Sequence, residues 1–395
     1  MQTDILFLTL NVFSATGGIE KVCRVAGKAI YEYSTQMQYR CAMYSMHDPQ
    51  EACYDNKYLP EISFTGFAGA KASFVAAAVK AGVQSSVVFV SHVNLLFPAW
   101  TIKRLSPKTK IILFAHGIEI WDHLPLRKKM MLRSVDQVLS VSAFTQANIM
   151  KHYRLPVSQC RIINNCLDPY LPLLKNVKAT PALYKKYNCK PTDTIIFTLT
   201  RIAASEHYKG YDVVLKALKQ LQNANIKYLL AGKYDDAEKI SLQRLIEKLG
   251  LDGQVIMPGF IPDEDVAALF TMATVYAMPS TKEGFGIVFI EAMHYGVPVV
   301  AGNADGSVDA LVGGQLGTLV SPKNVDELAD ALRKIIADPE AYTPNLQLLH
   351  QKFSYEMYKQ KINEVLEDML IPTISVKSKR IDKSIMMNER KMMND

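Results

Sequence analysis

Apolar and polar positions alternate along this chain in two registers. Short runs of Val, Ile, Leu and Phe read as strands buried on both faces, and between them apolar residues recur every three or four positions, as on a helix with one covered side. In the first half the strand-like runs are residues 5–10, 87–91, 110–115 and 137–141, with helical periodicity over 19–32 and 71–81. Residues 162–165 read as a last short strand, and the stretch 169–191, with Pro172 and Pro181, as a connection. The pattern then restarts with strand 194–199, a helix from Tyr211, strand 228–231, a helix near 238–249 and strand 255–257. A helix opened by Asp263-Glu264-Asp265, strand 275–278, helix 287–295 and strand 298–301 follow. Strand alternating with helix throughout predicts an α/β chain with parallel sheets. We expect two Rossmann-like domains facing a central cleft, over residues 1–175 and 176–353. A helix over 354–370 is expected to pack back on the first, and 371–395 to form a mobile tail whose Met386, Met387, Met392 and Met393 could touch a membrane or partner.

With 395 residues, 49% of them hydrophobic and 21% charged, two folded domains fit and extensive disorder does not. The net charge of +7 is uneven, because residues 1–175 hold 19 Lys/Arg against 11 Asp/Glu. A basic half needs an acidic partner: a phosphorylated substrate, an anionic membrane surface or nucleic acid. No nucleic-acid-binding motif accompanies the charge, which disfavours the last. The apolar stretch 87–102 is broken by His92, Asn94 and Pro98, so it is no membrane span, and the amino terminus lacks the basic region of a signal peptide. Six cysteines form no Cys-x-x-Cys pair, which excludes thioredoxin-like chemistry and ribbon zinc sites and fits a reduced, cytoplasmic protein. Neither half carries G-x-G-x-x-G after its first strand, so a nicotinamide or flavin dinucleotide site is not supported.

The segment from Ser280 to Met293 carries most of the chemistry. It joins a strand to a helix at the carboxyl edge of the second sheet, where open α/β sheets bind ligands. Gly284 and Gly286 permit close backbone approach, and the helix beginning near Ile287 directs free N–H groups there, which suits a diphosphate. Glu283 and Glu291 can then divide the work, one facing the sugar and the other the ribose of a nucleotide-sugar. Alone, this would read as a Gly-rich turn with two solvated glutamates. It is joined by Arg201 at the end of the second half's first strand and by Lys209 after a short polar loop, two cations able to reach the same diphosphate.

With these residues the chain resembles the family 4 glycosyltransferases, which have the GT-B fold. Glu283 and Glu291 in Glu-Gly-Phe-Gly-Ile-Val-Phe-Ile-Glu match that family's E-x7-E signature, and Arg201 with Lys209-Gly210 its donor-diphosphate cations. Leu230-Ala231-Gly232, Pro258-Gly259-Phe260, Met278-Pro279-Ser280 and Tyr295-Gly296-Val297-Pro298 are further likenesses. Thr16-Gly17-Gly18-Ile19-Glu20 resembles the family's glycine loop, and His116-Gly117 its active-site histidine. The resemblance implies retention of anomeric configuration, no essential metal and no cofactor beyond a UDP- or GDP-linked sugar as co-substrate. It implies a donor site from Arg201, Lys209, Gly232, Phe260, Glu283, Gly284, Phe285, Gly286, Ile287 and Glu291 on the second domain. It places the acceptor against Gly17, Gly18 and His116 on the first, with Glu283, His116, Arg201 and Lys209 as the catalytic set. The run Ser205-Glu206-His207-Tyr208 is similar to exopolysaccharide mannosyltransferases, which makes mannose one reading of the hexose; the basic first half points to a polyprenyl-diphosphate-linked saccharide as acceptor.

There are departures from the family pattern. Cys166 stands where Asn-Gly-x-Asp would place a glycine, so a strained turn is expected there, and Asp305-Gly306-Ser307-Val308-Asp309 replaces Gly-Gly-x-x-Glu. Asp263 and Asp265 match the Asp-x-Asp of metal-dependent glycosyltransferases, yet they open an amphipathic helix, where capping and dipole pairing explain them better. Arg127, Lys128, Lys129 and Arg133 lie among Met130, Met131 and Leu132 on one short helix. They form either a solvated basic edge or a docking patch for the inner face of an anionic membrane. A soluble sugar acceptor, a sugar-nucleotide epimerase of the same architecture and a non-catalytic glycosyltransferase partner remain as rival readings.

Overall fold

Residues 4–121 and 123–370 are described by the structure, a computed structural model. Among them are two parallel sheets. The first has the order β3-β2-β1-β4-β5-β6-β7, from β1 (Ile5–Thr9), β2 (Cys41–Ser45), β3 (Phe64–Gly66), β4 (Val87–Val90), β5 (Lys110–Ala115), β6 (Gln137–Ser140) and β7 (Cys160–Ile162). The second has the order β10-β9-β8-β11-β12-β13, from β8 (Thr194–Leu199), β9 (Ile226–Ala231), β10 (Val255–Gly259), β11 (Val275–Met278), β12 (Val299–Gly302) and β13 (Thr318–Val320). The order turns beside β1 in one sheet and beside β8 in the other, which opens a crevice at each carboxyl edge.

Central strands are apolar throughout because helices cover both faces: β1, β4 and β11 are buried at every position. Three strands escape the apolar-run criterion. The burial of β2 alternates, β3 has three residues ending in Gly66, and β13 is short and half-covered. The strand expected at 162–165 lies earlier, as β7. The connection also holds a helix, Pro181–Lys186, because Thr180 Oγ1 accepts the N–H of Leu183 at 3.2 Å and Pro181 suits a first helical turn.

The helix Tyr355–Leu370 lies on the helix Gly18–Gln36. Its Tyr358, Ile362, Val365 and Leu366 share an apolar cluster with Cys23, Ala26, Ile30 and Tyr33. Arg161 ties it down further, bonding Glu364 at 2.6 Å and Asp368 at 3.0 Å. The expected tail at 371–395, with Met386, Met387, Met392 and Met393, lies outside the described residues. No helix among the described residues is long and apolar enough to cross a membrane.

Candidate active site between the two sheets

On the second sheet, the segment after β11 is fixed by its backbone. The N–H of Glu283 donates to Asp305 Oδ2 at 2.7 Å, and the carbonyl of Glu283 accepts from the N–H of Gly306 at 2.8 Å. Gly286 then turns left-handed at φ 84°, a conformation glycine adopts without penalty, and starts the helix Ile287–His294. Glu291 therefore stands little more than one turn into that helix, not two turns as the spacing from Glu283 suggests. Lys209 closes the 3-10 turn Ala204–Lys209 and forms an ion pair with the Glu283 carboxylate. Arg201 sits at the rim, its side chain 73% exposed and its Nε 3.4 Å from Glu206 Oε1. Gly232 follows β9, and Phe260 follows β10 with 59% of its surface exposed. Arg201, Lys209, Gly232, Phe260, Glu283, Gly284, Gly286, Ile287 and Glu291 thus lie along one carboxyl edge. Phe285 is different: its ring is buried and packs edge-on against Phe353, so this side chain serves the core and only its backbone faces the edge.

On the first sheet, Gly17 is the N-cap of the helix Gly18–Gln36 in ordinary extended geometry, and Gly18 has open space around it. The loop before them is clamped from two sides. The buried Asp48 carboxylate accepts from the N–H groups of Val12 at 2.6 Å and Ser14 at 2.8 Å, while Arg24 donates to the carbonyl of Val12 at 2.8 Å. The Ser14 and Ser45 hydroxyls, with the N–H groups of Ser14 and Val12, hold the Asp48 carboxyl below the usual range in spite of its burial.

His116 ends β5. Its Nε2 is 2.9 Å from the Ser91 carbonyl, which can only accept, so the proton is on Nε2 and the lone pair on Nδ1. Among the described residues that buried Nδ1 has no partner, and burial pushes the imidazole down to about 4, leaving it neutral near pH 7. The backbone N–H of His116 donates to Glu119 Oε1 at 2.6 Å, and burial raises the Glu119 carboxyl.

The two edges meet. A β-carbon on Gly284 would lie 1.9 Å from the His116 carbonyl oxygen, so the backbones touch where only glycine fits. Lys21 Nζ reaches Glu291 Oε1 at 2.5 Å, and the N–H of Ala143 donates to Asp309 Oδ1 at 2.9 Å. Lys21, Asp48, Glu119 and Asp305 in these roles are additions to the residues expected from sequence. Asp305 lies within a stretch already singled out, and Glu119 and Lys21 each closely follow a recognised motif, but the partner of each is set by the tertiary fold.

Three other expectations differ from the structure in part. Cys166 is not among the residues with positive φ, so the missing glycine leaves no strained turn. Asp263–Asp265 occupy the first turn of helix Asp263–Met272 behind N-cap Pro262, and the Asp265 carboxylate binds Lys186 and the Tyr187 hydroxyl; they pair with the dipole without capping by side chain. Among the described residues no group of three or more His, Cys, Asp or Glu could hold a metal ion. In helix Leu126–Leu132, Leu132 is core and cannot meet a membrane, whereas Leu126 and Met130 are exposed.

Residues 17–170 match the family described as Glycosyltransferase Family 4, and residues 181–359 match Glycosyl transferases group 1. A GDP-mannose-dependent alpha-(1-6)-phosphatidylinositol monomannoside mannosyltransferase of Mycolicibacterium smegmatis is 28% identical over 60% of this chain and 64% of its own length. The O-antigen chain mannosyltransferase B of Escherichia coli is 27% identical over 55% of this chain and 56% of its own. The chain thus spans less than two thirds of the length of these relatives. Among solved structures, Anabaena Alr3699/HepE in complex with UDP superposes with a TM-score of 0.75 at 21% identity, covering 93% of this chain and 100% of that one. Sucrose-phosphate synthase from Thermosynechococcus elongatus gives 0.71 at 19% identity, covering 93% and 99%. Two parallel-sheet domains with their carboxyl edges opposed, and family matches running in order through both, show that the chain belongs to glycosyltransferase family 4 and has the GT-B fold.

Proposed function

We propose that this chain is a retaining, metal-independent hexosyltransferase that moves a hexose from a nucleoside diphosphate sugar to a saccharide carried on a lipid diphosphate. One observation carries the reading: the Lys209–Glu283 ion pair stands at the edge of the second sheet beside Gly284, whose backbone touches His116 of the first. A sugar donor held by the second domain then presents its anomeric carbon to an acceptor held by the first.

Lys209, Arg201 and the amides at Gly284–Ile287 stabilise the departing diphosphate, where negative charge develops. Glu283 accepts from hydroxyls of the donor sugar, and Glu291 from those of the ribose. Gly232 and Phe260 border the nucleoside. His116, neutral and with a free Nδ1 lone pair, accepts a sugar hydroxyl and orients the ring. The anomeric bond to the diphosphate breaks, the acceptor hydroxyl oxygen bonds the anomeric carbon on the same face, and its proton passes to the departing diphosphate oxygen. Positioning and electrostatics carry the rate, with water excluded by closure of the two edges.

The names of the mycobacterial and E. coli relatives favour GDP-mannose as donor and a lipid-linked acceptor in cell-envelope or exopolysaccharide synthesis, while the Anabaena neighbour's UDP supports a uridine nucleotide. The basic helix Leu126–Leu132 supports attachment to the inner face of a membrane. The test is to incubate the purified chain with GDP-mannose or a UDP-hexose and a polyprenyl-diphosphate saccharide, with chelator present. Transfer with retained configuration is expected; an epimerised donor, or no donor turnover with any acceptor, overturns the reading.

A further inference from the structure

Glu291 is the more buried of the two signature carboxylates, its side chain only 5% exposed. Its helix neighbours Phe289, Ile290, Ala292 and Met293 are in the apolar core. An unpaired carboxylate in such a place is costly, because burial removes hydration that nothing replaces. Here Lys21 replaces it from the other domain, 270 positions away in the chain. Among the described residues Lys21 is the one hydrogen-bond donor to this carboxylate. Burial pulls the Lys21 ammonium towards deprotonation, but the Glu291 charge and hydrogen bond outweigh it and hold its pKa above the ordinary lysine value. The pair lines an interdomain cavity with Ile287, Asn165 and Tyr358, and there the Asn165 Oδ1 and Tyr358 hydroxyl are buried without partners.

Under the reading proposed above, Glu291 is the acceptor for the ribose hydroxyls of the donor. A vicinal diol bridges both oxygens of a carboxylate, and Oε1 is occupied by Lys21. We propose that Lys21 is a positioning residue for the donor nucleoside: it holds Glu291 in place of the ribose and is displaced when ribose hydroxyls take over. Binding of the nucleotide to one domain thereby exchanges a contact with the other for one with the ribose, so donor binding and this interdomain contact compete. Lys21 never touches the reacting atoms and acts through Glu291 alone.

Isothermal titration with UDP and GDP, and with inorganic pyrophosphate as a ribose-free probe, tests this. Lys21→Met should lower the melting temperature of the unliganded protein yet tighten nucleoside diphosphate binding about tenfold, by removing a competitor that occupies the site most of the time. Pyrophosphate affinity should not change, and Lys21→Arg should bind like the wild type. If Lys21→Met fails to fold, Lys21→Gln carries the same expectation. Weaker or unchanged nucleotide binding by the folded variant overturns the proposal, and so does an equal gain for pyrophosphate. Glu291→Gln separates the two readings. If it binds nucleotide as the wild type does, the ribose role of Glu291 itself fails; if it binds weakly while Lys21→Met brings no gain, only the Lys21 proposal fails.

Discussion

The backbone of Gly284 lies against the carbonyl of His116, with room for a hydrogen but not a methyl: a β-carbon there would sit 1.9 Å from that oxygen and 3.1 Å from its carbon. Both atoms belong to the backbone of His116, the residue after β5, so neither can swing aside as a long side chain would. Gly284→Ala is therefore expected to hold the two edges apart by a fraction of an ångström to an ångström. A displacement of that size costs about 100-fold in a reaction that depends on positioning. Measured kcat should fall by that order while nucleotide affinity of the second domain, from calorimetry, stays within a few-fold. Wild-type turnover in Gly284→Ala would show that the contact is not part of the working geometry.

Lys209 and Arg201 are both cations of the donor edge but differ in burial, and their substitutions should separate. Lys209 is mostly covered and neutralises Glu283, so Lys209→Met removes a charge from the diphosphate and leaves a carboxylate without its partner. A fall in kcat/KM of about 100- to 1,000-fold is expected, as for loss of one preorganised electrostatic contact. Arg201 is a rim residue, so Arg201→Ala should leave the melting temperature unchanged and act on turnover alone. A folded Lys209→Met with wild-type turnover would remove the diphosphate role.

Asp305 supplies a pH dependence. It is 2% exposed, and burial, with the neighbouring Glu283 charge, pushes its carboxyl from 3.8 up to about 6, against hydrogen bonds from Ser307 and the Glu283 N–H. A raised acid holds its proton more tightly when folded than when unfolded. Its stabilising contribution is thus complete below about 3.8 and is lost as pH rises through 6. Relative to Asp305→Asn, the wild type should gain on the order of 1 kcal/mol between pH 7 and pH 5, read from paired denaturation curves. A gap that is flat or reversed over that range contradicts the assignment.

That these residues share one edge of the second sheet was legible because the signals are local: Glu283, Gly284, Gly286 and Glu291 fall within one strand-to-helix passage, and Arg201 and Lys209 within another. Apolar runs likewise betray strands such as β1, β5 and β8, which helices cover on both faces. β2 and β3 carry no such run, because β2 is half-covered and β3 stops at Gly66 after three residues. Phe285 shows that a motif residue need not present its side chain to the edge; its aromatic ring goes to the core beside Phe353. Asp48 and Lys21 act through partners set by the tertiary fold, Val12 and Ser14 in one case and Glu291 in the other, and a single sequence carries no mark of such pairings.

The proposed membrane attachment rests on the helix Leu126–Leu132. Leu126 and Met130, four residues apart and so on one face, are 81% and 61% exposed, while Leu132 fixes the other side in the core. Arg127 and Arg133 are exposed beside them, Lys129 is partly covered, and Lys128 Nζ bonds Asn94 Oδ1 at 2.6 Å but remains at the surface. Apolar side chains flanked by cations suit the boundary between headgroups and acyl chains. Each Lys or Arg near an anionic leaflet adds about 1 kcal/mol, so four give attachment that is weak, reversible and sensitive to salt. The chain is expected to sediment with phosphatidylglycerol vesicles at low salt, to be released as salt is added, and not to bind neutral vesicles. Replacing Arg127, Lys128, Lys129 and Arg133 with Gln should abolish sedimentation, and Leu126→Asp with Met130→Asp should weaken it with the charges intact. Because all of these side chains lie at the surface and Leu132 is untouched, the variants should keep the wild-type melting temperature. If the wild type stays in the supernatant even at low salt, the helix is a solvated face, and a soluble saccharide becomes the better acceptor.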